Sequence, residues 1–278
     1  MIDAIYLESE LLTNGQRFCT AIRNLNFPEV DWSSSKKGGF YGRKLSEGKL
    51  VSNRFATEFQ LIATDFSDLA TQREDFVKLI GQIISDGGKL LKIDKANGTD
   101  VQVTVRGVDV SGDVSFADPL NSRMLIEWET EKPILESQTL TEETALIFSG
   151  GGTPVPTPIP LNMSVGGLNE LITTNSGNYP AFPVFTFKGP LLNPSLYNVT
   201  SDKIIQITYN LPTASDIIEI DTYSRICKFI PSQIPARQYV SGEFWTIGLG
   251  ANVIHLGSGS VNPNGACIIT YRDAFIGI

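Results

Sequence analysis

Chemistry in this chain would have to be built from few parts. There is one histidine, His255, and there are three cysteines, Cys19, Cys227 and Cys267. A Ser-His-Asp or Cys-His machine needs an imidazole within reach of its nucleophile and a third group to orient it. His255 stands in a strand-like run, residues 251–256, and no Gly-x-Ser-x-Gly turn accompanies it. It reads as a strand histidine, at the sheet surface or hydrogen-bonded in the core. The cysteines are far apart and lack Cys-x-x-Cys spacing. They read as buried thiols of a reducing compartment, not as zinc ligands. Adjacent carboxylates occur at Glu127/Glu129, Glu142/Glu143 and Glu219/Asp221. Glycoside hydrolysis needs two carboxyl groups held across a cleft. These pairs lie in strands or a linker, where charged residues ordinarily form a solvated face. Residues 94–100 lack the alternating carboxylates and closing Glu of a calcium loop. Gly150-Gly151-Gly152 is not followed by the Gly-Lys-Ser/Thr of a phosphate loop. The chain therefore reads as a non-enzyme with no cofactor and no metal site.

Two groups of residues are better suited to contact than to catalysis. Lys36, Lys37, Arg43, Lys44, Lys49 and Arg54 form a basic cluster beside Trp32, Phe40 and Tyr41. Its glycines and serines suggest a hairpin or arm. Lys36, Lys37, Phe40, Tyr41, Arg43 and Lys44 are the candidate interface, and a solvated loop is the plainer alternative. In the second half Tyr223, Tyr239, Phe244 and Trp245 could stack on a sugar ring or meet a partner, although core packing is the commoner use of such rings. Tyr223, Tyr239 and Trp245 are the candidate outer contacts.

These residues need a scaffold, and the composition says which kind. The 278 residues are 41% hydrophobic and 19% charged, enough for ordinary buried cores. The net charge is -8, which argues against general nucleic-acid binding because phosphates need a basic face. The N-terminal residues lack a basic stretch followed by an apolar core, and no apolar run reaches the ~18 residues that span a bilayer. Folding in a cytoplasm is the expectation. Residues 1–135 hold 16 Lys/Arg and 20 Asp/Glu, against 6 and 10 in residues 136–278. Two separately built domains explain that drop, with a boundary near residues 133–145 where Pro133 and a polar stretch interrupt the strand pattern. We place the domains at 1–138 and 139–278.

In the first domain, Phe55, Phe59, Leu61 and Ala63 alternate with polar residues over 54–64, as in a half-buried strand. Leu69, Phe76, Leu79, Ile80 and Ile83 then follow helical spacing. This predicts one helix over about 68–85, capped by Ser67 or Asp68 and ended by Gly87-Gly88. Residues 89–94 and 100–108 form a strand pair around Asn97-Gly98, a favoured hairpin turn. Met124, Ile126 and Trp128 mark a further strand. In the second domain the strand candidates are 182–188, 203–209, 217–222, 225–230, 243–249, 251–256 and 266–271. Turn chemistry at Gly189-Pro190, Asn193-Pro194 and residues 262–265 separates them. Short strands at that spacing predict a β-sandwich or jelly roll. The class is mainly β, with one helix in the N-terminal domain.

The order of motifs in the second half carries a resemblance. Phe148-Ser-Gly-Gly-Gly-Thr-Pro-Val-Pro-Thr-Pro-Ile-Pro160 precedes Asn175-Ser-Gly-Asn-Tyr-Pro-Ala-Phe-Pro-Val184. Phe187-Lys-Gly-Pro-Leu-Leu-Asn-Pro-Ser195, Asp216-Ile-Ile-Glu-Ile-Asp-Thr222 and Phe244-Trp-Thr-Ile-Gly-Leu-Gly-Ala-Asn-Val-Ile254 follow. This sequence resembles the siphophage distal tail proteins, with Gly248-Leu-Gly250 standing where the family usually has Pro-Gly. The strand, helix and hairpin of the first half resemble that family's ring-forming domain. The resemblance implies a homo-hexameric ring at the virion tail tip, assembled in the bacterial host cytoplasm. It would join the tail tube protein to the tail-tip hub protein, with DNA passing through and no specific nucleic-acid binding. The second domain would be galectin-like, holding receptor-binding proteins or touching the cell wall. No membrane is involved. The alternatives are a carbohydrate-binding adhesion module acting through the second domain and a tail-associated glycan hydrolase.

Overall fold

The computed structural model describes residues 2–7, 10–13, 17–23, 30–31, 34–36, 43–45, 49–50, 54–86, 88–95, 98–114, 120–147, 170–259 and 264–277. The chain forms two compact units: Met1–Gln138 together with Phe275–Ile278, and Thr139–Ala274. The second is thus inserted into the first.

The first unit is an antiparallel sheet whose main path runs Glu10–Leu11, Ile2–Leu7, Lys89–Lys95, Val101–Val114, Asn121–Thr130, Arg54–Ile62 and Arg17–Arg23. Leu135–Ser137 pairs with the start of the long strand Val101–Val114. Alternation decides which face is dry. Met124, Ile126 and Trp128 are buried from Asn121–Thr130, and Phe55, Phe59 and Leu61 from the neighbouring strand. The helix Phe66–Asp86 supplies Leu69, Phe76 and Ile80 to the same core. Phe76 meets Phe59 edge to face at 5.1 Å. Burying one such ring contributes about 1.5–3 kcal/mol. The side chains of Leu79 and Ile83 lie outside the described residues.

The helix cap differs from the expectation. Asp65 accepts the N–H of Asp68 at 2.8 Å, so Asp65 is the N-cap. Asp68 instead reaches back to the Thr64 N–H at 2.9 Å and the Thr64 hydroxyl at 3.2 Å. At the other end Gly88 has φ +131, a conformation that suits glycine. The strands on either side of residues 96–97 pair as expected. Their last register pair in the ladder is Ile93 with Val101, and Asp100 accepts the Lys95 N–H at 3.0 Å.

The second unit has two five-stranded antiparallel sheets. One runs Thr141–Leu146, Ala266–Tyr271, Val184–Lys188, Ile217–Asp221, Ile226–Ile230. The other runs Glu170–Asn175, Gly250–Gly257, Ser195–Asn198, Lys203–Ile207, Val240–Gly242. Phe185, Phe187, Ile218, Ile220 and Ile269 are buried from the first, and Leu196, Ile205, Ile207, Ile254 and Leu256 from the second. The Tyr271 hydroxyl ties the sheets together. It accepts from Thr173 Oγ1 at 2.8 Å and donates to the Thr174 carbonyl at 2.9 Å.

Three expectations fail here for physical reasons. Residues 243–249 are not a strand: they make only isolated bridges, Ala181 with Ile247 and Asn175 with Leu249. Asn252 holds this segment, accepting the Gly248 N–H at 3.0 Å and donating to the Gly248 and Gly250 carbonyls at 2.9 and 3.0 Å. The polar stretch near the boundary does not break the strand pattern either, since Leu135–Ser137 and Thr141–Leu146 both pair. Thr141–Leu146 is polar because, as the outermost strand of its sheet, it has little to bury, while Leu135–Ser137 is short and pairs on both sides, with Val101–Val114 and Ala274–Phe275. Glu170–Asn175 is another edge strand that alternation alone did not reveal.

Candidate functional site

Among the described residues, the groups that could do chemistry are scattered. His255 lies between Glu170 and Tyr197 in the sheet register. Its Nε2 is 3.6 Å from Glu170 Oε1 and makes no hydrogen bond. The Tyr197 hydroxyl donates to Asp202 at 2.6 Å, and that bond holds its proton on more firmly than usual. This row has no activated nucleophile. Burial pushes the Cys19 thiol up to about 11, and burial also raises Cys227 and Cys267. A thiolate is the reactive form, so these sulfurs are inert near neutral pH.

Several of the paired carboxylates are committed. Glu219 pairs with Lys228 at 3.0 Å, while Asp221 accepts the N–H groups of Tyr223 and Ser224 at 2.9 and 3.1 Å. Glu129 faces Arg54 at 3.4 Å. Glu142 and Glu143 are consecutive in a strand and so point to opposite faces. Asp94 accepts from Gln138 at 2.8 Å. Among the described residues no three of His, Cys, Asp and Glu gather where they could hold a metal ion. No described helix is long and apolar enough to cross a membrane.

What remains is surface for contact. Lys36, Arg43 and Lys44 lie on a two-stranded ribbon, with Lys36 opposite Arg43 and Ser35 opposite Lys44. Val30–Asp31 pairs separately with Lys49–Leu50. Among the described residues this ribbon pairs only with itself. Lys37, Phe40 and Tyr41 lie outside the described residues. The outer-contact candidates separate. Tyr223 packs edge to face on Phe182 at 5.1 Å. Tyr239 joins Tyr209 and Phe229 at 4.8 and 6.0 Å. Trp245 is a correction: it is 1% exposed and tilts against Phe185 at 4.5 Å, so it is core. Phe244 sits under the Arg237 guanidinium at 5.0 Å.

The sheet edges offer contact surface that alternation alone did not predict. Arg17–Arg23 is the last described strand at one end of the first sheet, and Glu10–Leu11 is the last at the other. Phe18 and Leu11 are exposed on them. In the second unit Leu146 and Ile172 are exposed on the edge strands Thr141–Leu146 and Glu170–Asn175. Exposed backbone donors and acceptors at such edges are ready to pair with another chain.

Residues 176–275 match the family model of the siphovirus-type tail component, C-terminal domain. No curated protein matches the chain in sequence. The crystal structure of phage SPP1 Dit is similar in fold, with a TM-score of 0.63 at 8% identity, covering 98% of each chain. That protein is described as a paradigm of the hub adsorption apparatus in phages that infect Gram-positive hosts. A chain of the phage P2 baseplate, in its activated conformation with Ca, aligns at a TM-score of 0.47 and 13% identity, covering 96% of this chain and 94% of that one. Residues 176–275 thus match the C-terminal domain of the siphovirus-type tail component, and the chain along its length has a Dit-like, mainly β fold.

Proposed function

We propose that six copies of this chain form a ring at the phage tail tip, through the first unit. The ring joins the tail tube to the tail-tip hub and lets DNA pass through its centre. The second unit serves host attachment by holding a receptor-binding protein. The observation that carries the reading is the first sheet, whose described path ends at two different edges, Arg17–Arg23 and Glu10–Leu11. A head-to-tail contact between unlike edges generates a closed ring when the rotation closes. The basic ribbon around Lys36, Arg43 and Lys44 supports it further, since an isolated two-stranded ribbon is marginal in water and gains from a neighbour. The net charge of -8 suits a ring that DNA slides through without being held.

Light scattering over a concentration series, with electron micrographs of the same sample, tests the proposal. The expected result is a particle of roughly 180 kDa, six times the 30.4 kDa chain, with an open centre. A monomer at every concentration would count against it.

A further inference from the structure

One side of the second unit holds a guanidinium ready for an anion. Arg237 opens the short helical turn Arg237–Tyr239, which joins the two sheets at their outermost strands Ile226–Ile230 and Val240–Gly242. Before the turn, the Ala236 N–H donates to the Cys227 carbonyl at 2.8 Å. At its end, the Tyr239 carbonyl accepts the Thr208 N–H at 2.8 Å. The Arg237 Nη1 donates to the Val240 carbonyl, and the guanidinium lies over the Phe244 ring, 5.0 Å from its centroid. Two contacts thus fix an exposed side chain, and neither neutralises it. Lys228 pairs with Glu219 at 3.0 Å and Lys203 with Glu243 at 3.4 Å, but among the described residues Arg237 has no carboxylate partner. A guanidinium carries five N–H donors in a planar fork. One is spent on Val240, and the others remain for an outside acceptor. A fork already held in place loses little entropy on pairing.

Apolar surface adjoins it. Tyr239, in the same turn, lies 4.8 Å from Tyr209 and 6.0 Å from Phe229, and the Tyr209–Phe229 centroids are 5.0 Å apart. The three rings pack on one another and admit nothing between them, so what they offer is their outer surface. Tyr209 is 36% exposed, and Ile234, whose carbonyl accepts the Phe229 N–H at 2.9 Å, is 58% exposed. Aromatic rings with an arginine are the residues that concentrate binding energy at the centre of protein interfaces.

Charge selects the occupant. A phosphate polymer or nucleic acid needs many cations, and a chain of net charge -8 repels it. One fixed guanidinium beside uncharged rings matches one carboxylate set in an apolar surface. We propose that Arg237, next to Tyr239 and its ring neighbours, receives an Asp or Glu side chain of a partner protein, flanked there by apolar residues. That partner is the protein the second unit is proposed above to hold, and the site rests on that reading.

Saturation-transfer NMR with the full chain and two blocked peptides, acetyl-Leu-Pro-Glu-Leu-amide and its Gln counterpart, tests this. The Glu peptide is expected to bind about tenfold more tightly than the Gln peptide. Arg237→Gln should remove the difference, and Arg237→Lys, which keeps the charge but not the fork, should lose most of it. The two peptides are compared on the unaltered protein, so the test stands even where a variant fails to fold. Equal binding of the two peptides overturns the proposal, as does a difference that persists in folded Arg237→Gln. Tighter binding of inorganic phosphate than of the Glu peptide at the same site overturns it too, because the occupant would then be a phosphate. Light scattering on the same samples reads the ring separately, so a monomer that still distinguishes Glu from Gln removes the ring and keeps the site.

Discussion

A few side chains fix the local geometry, and each has a measurable consequence. Trp128 is buried, and its Nε1 donates to Thr57 Oγ1 at 2.7 Å. Thr57→Val would leave that N–H without a partner, so we expect a loss of about 1–3 kcal/mol in urea unfolding. Asp65 caps the helix, and Asp65→Ala should cost about 1 kcal/mol in the same measurement. Asp68 adds a pH signature. The Thr64 N–H, then Gln72, hold its carboxyl below the usual carboxylate range. A lowered folded pKa stabilises fully above the unfolded value near pH 4, and the effect fades as pH falls through the folded value. Asp68→Asn should therefore lower the thermal midpoint at pH 7 but hardly change it near pH 2. Of these, only the helix start was legible in the sequence, and its cap, expected at Ser67 or Asp68, lies two or three residues earlier. Asp65, Ser67 and Asp68 are all good caps, and only backbone geometry selects one. Trp245 shows the same limit: its type was plain, but its burial depends on Asn252 holding residues 248–250, a contact that leaves no periodic trace.

The elements were easier to read where they bury one face. The helix and the strands Arg54–Ile62 and Asn121–Thr130 follow the spacing of their apolar residues closely. Edge strands were lost because pairing on one side requires little apolar patterning. The helix has a visible flaw: Gly81 is exposed, and a Cβ added there would meet nothing within 4 Å. Gly81→Ala should stabilise the first unit by about 0.5–1 kcal/mol, read as a higher urea midpoint with unchanged slope. At the sheet edge, Phe18→Asp changes an exposed residue of Arg17–Arg23. It should leave the monomer's melting point within a degree or two while abolishing the large particle in light scattering. Ring formation that survives this change would move the proposed interface elsewhere.

For the whole molecule, the drop in charge density pointed to two bodies, but not to the return of the chain. Phe275 packs against the core of the first unit after 136 residues, Thr139 to Ala274, have built the second. Seen from the first unit, those residues are a loop. Folded, the loop has fixed ends. Unfolded, it is a free chain, and closing a free chain of that length costs about (3/2)RT ln n, on the order of 4 kcal/mol. Calorimetry should resolve two transitions, with melting of the second unit weakening the anchorage of Phe275 in the first. Folding of the inserted unit thus acts as an entropic clamp on the C-terminus, and a single backbone cut after Ala274 would release the clamp while leaving the unit joined to the first through Gln138–Thr139.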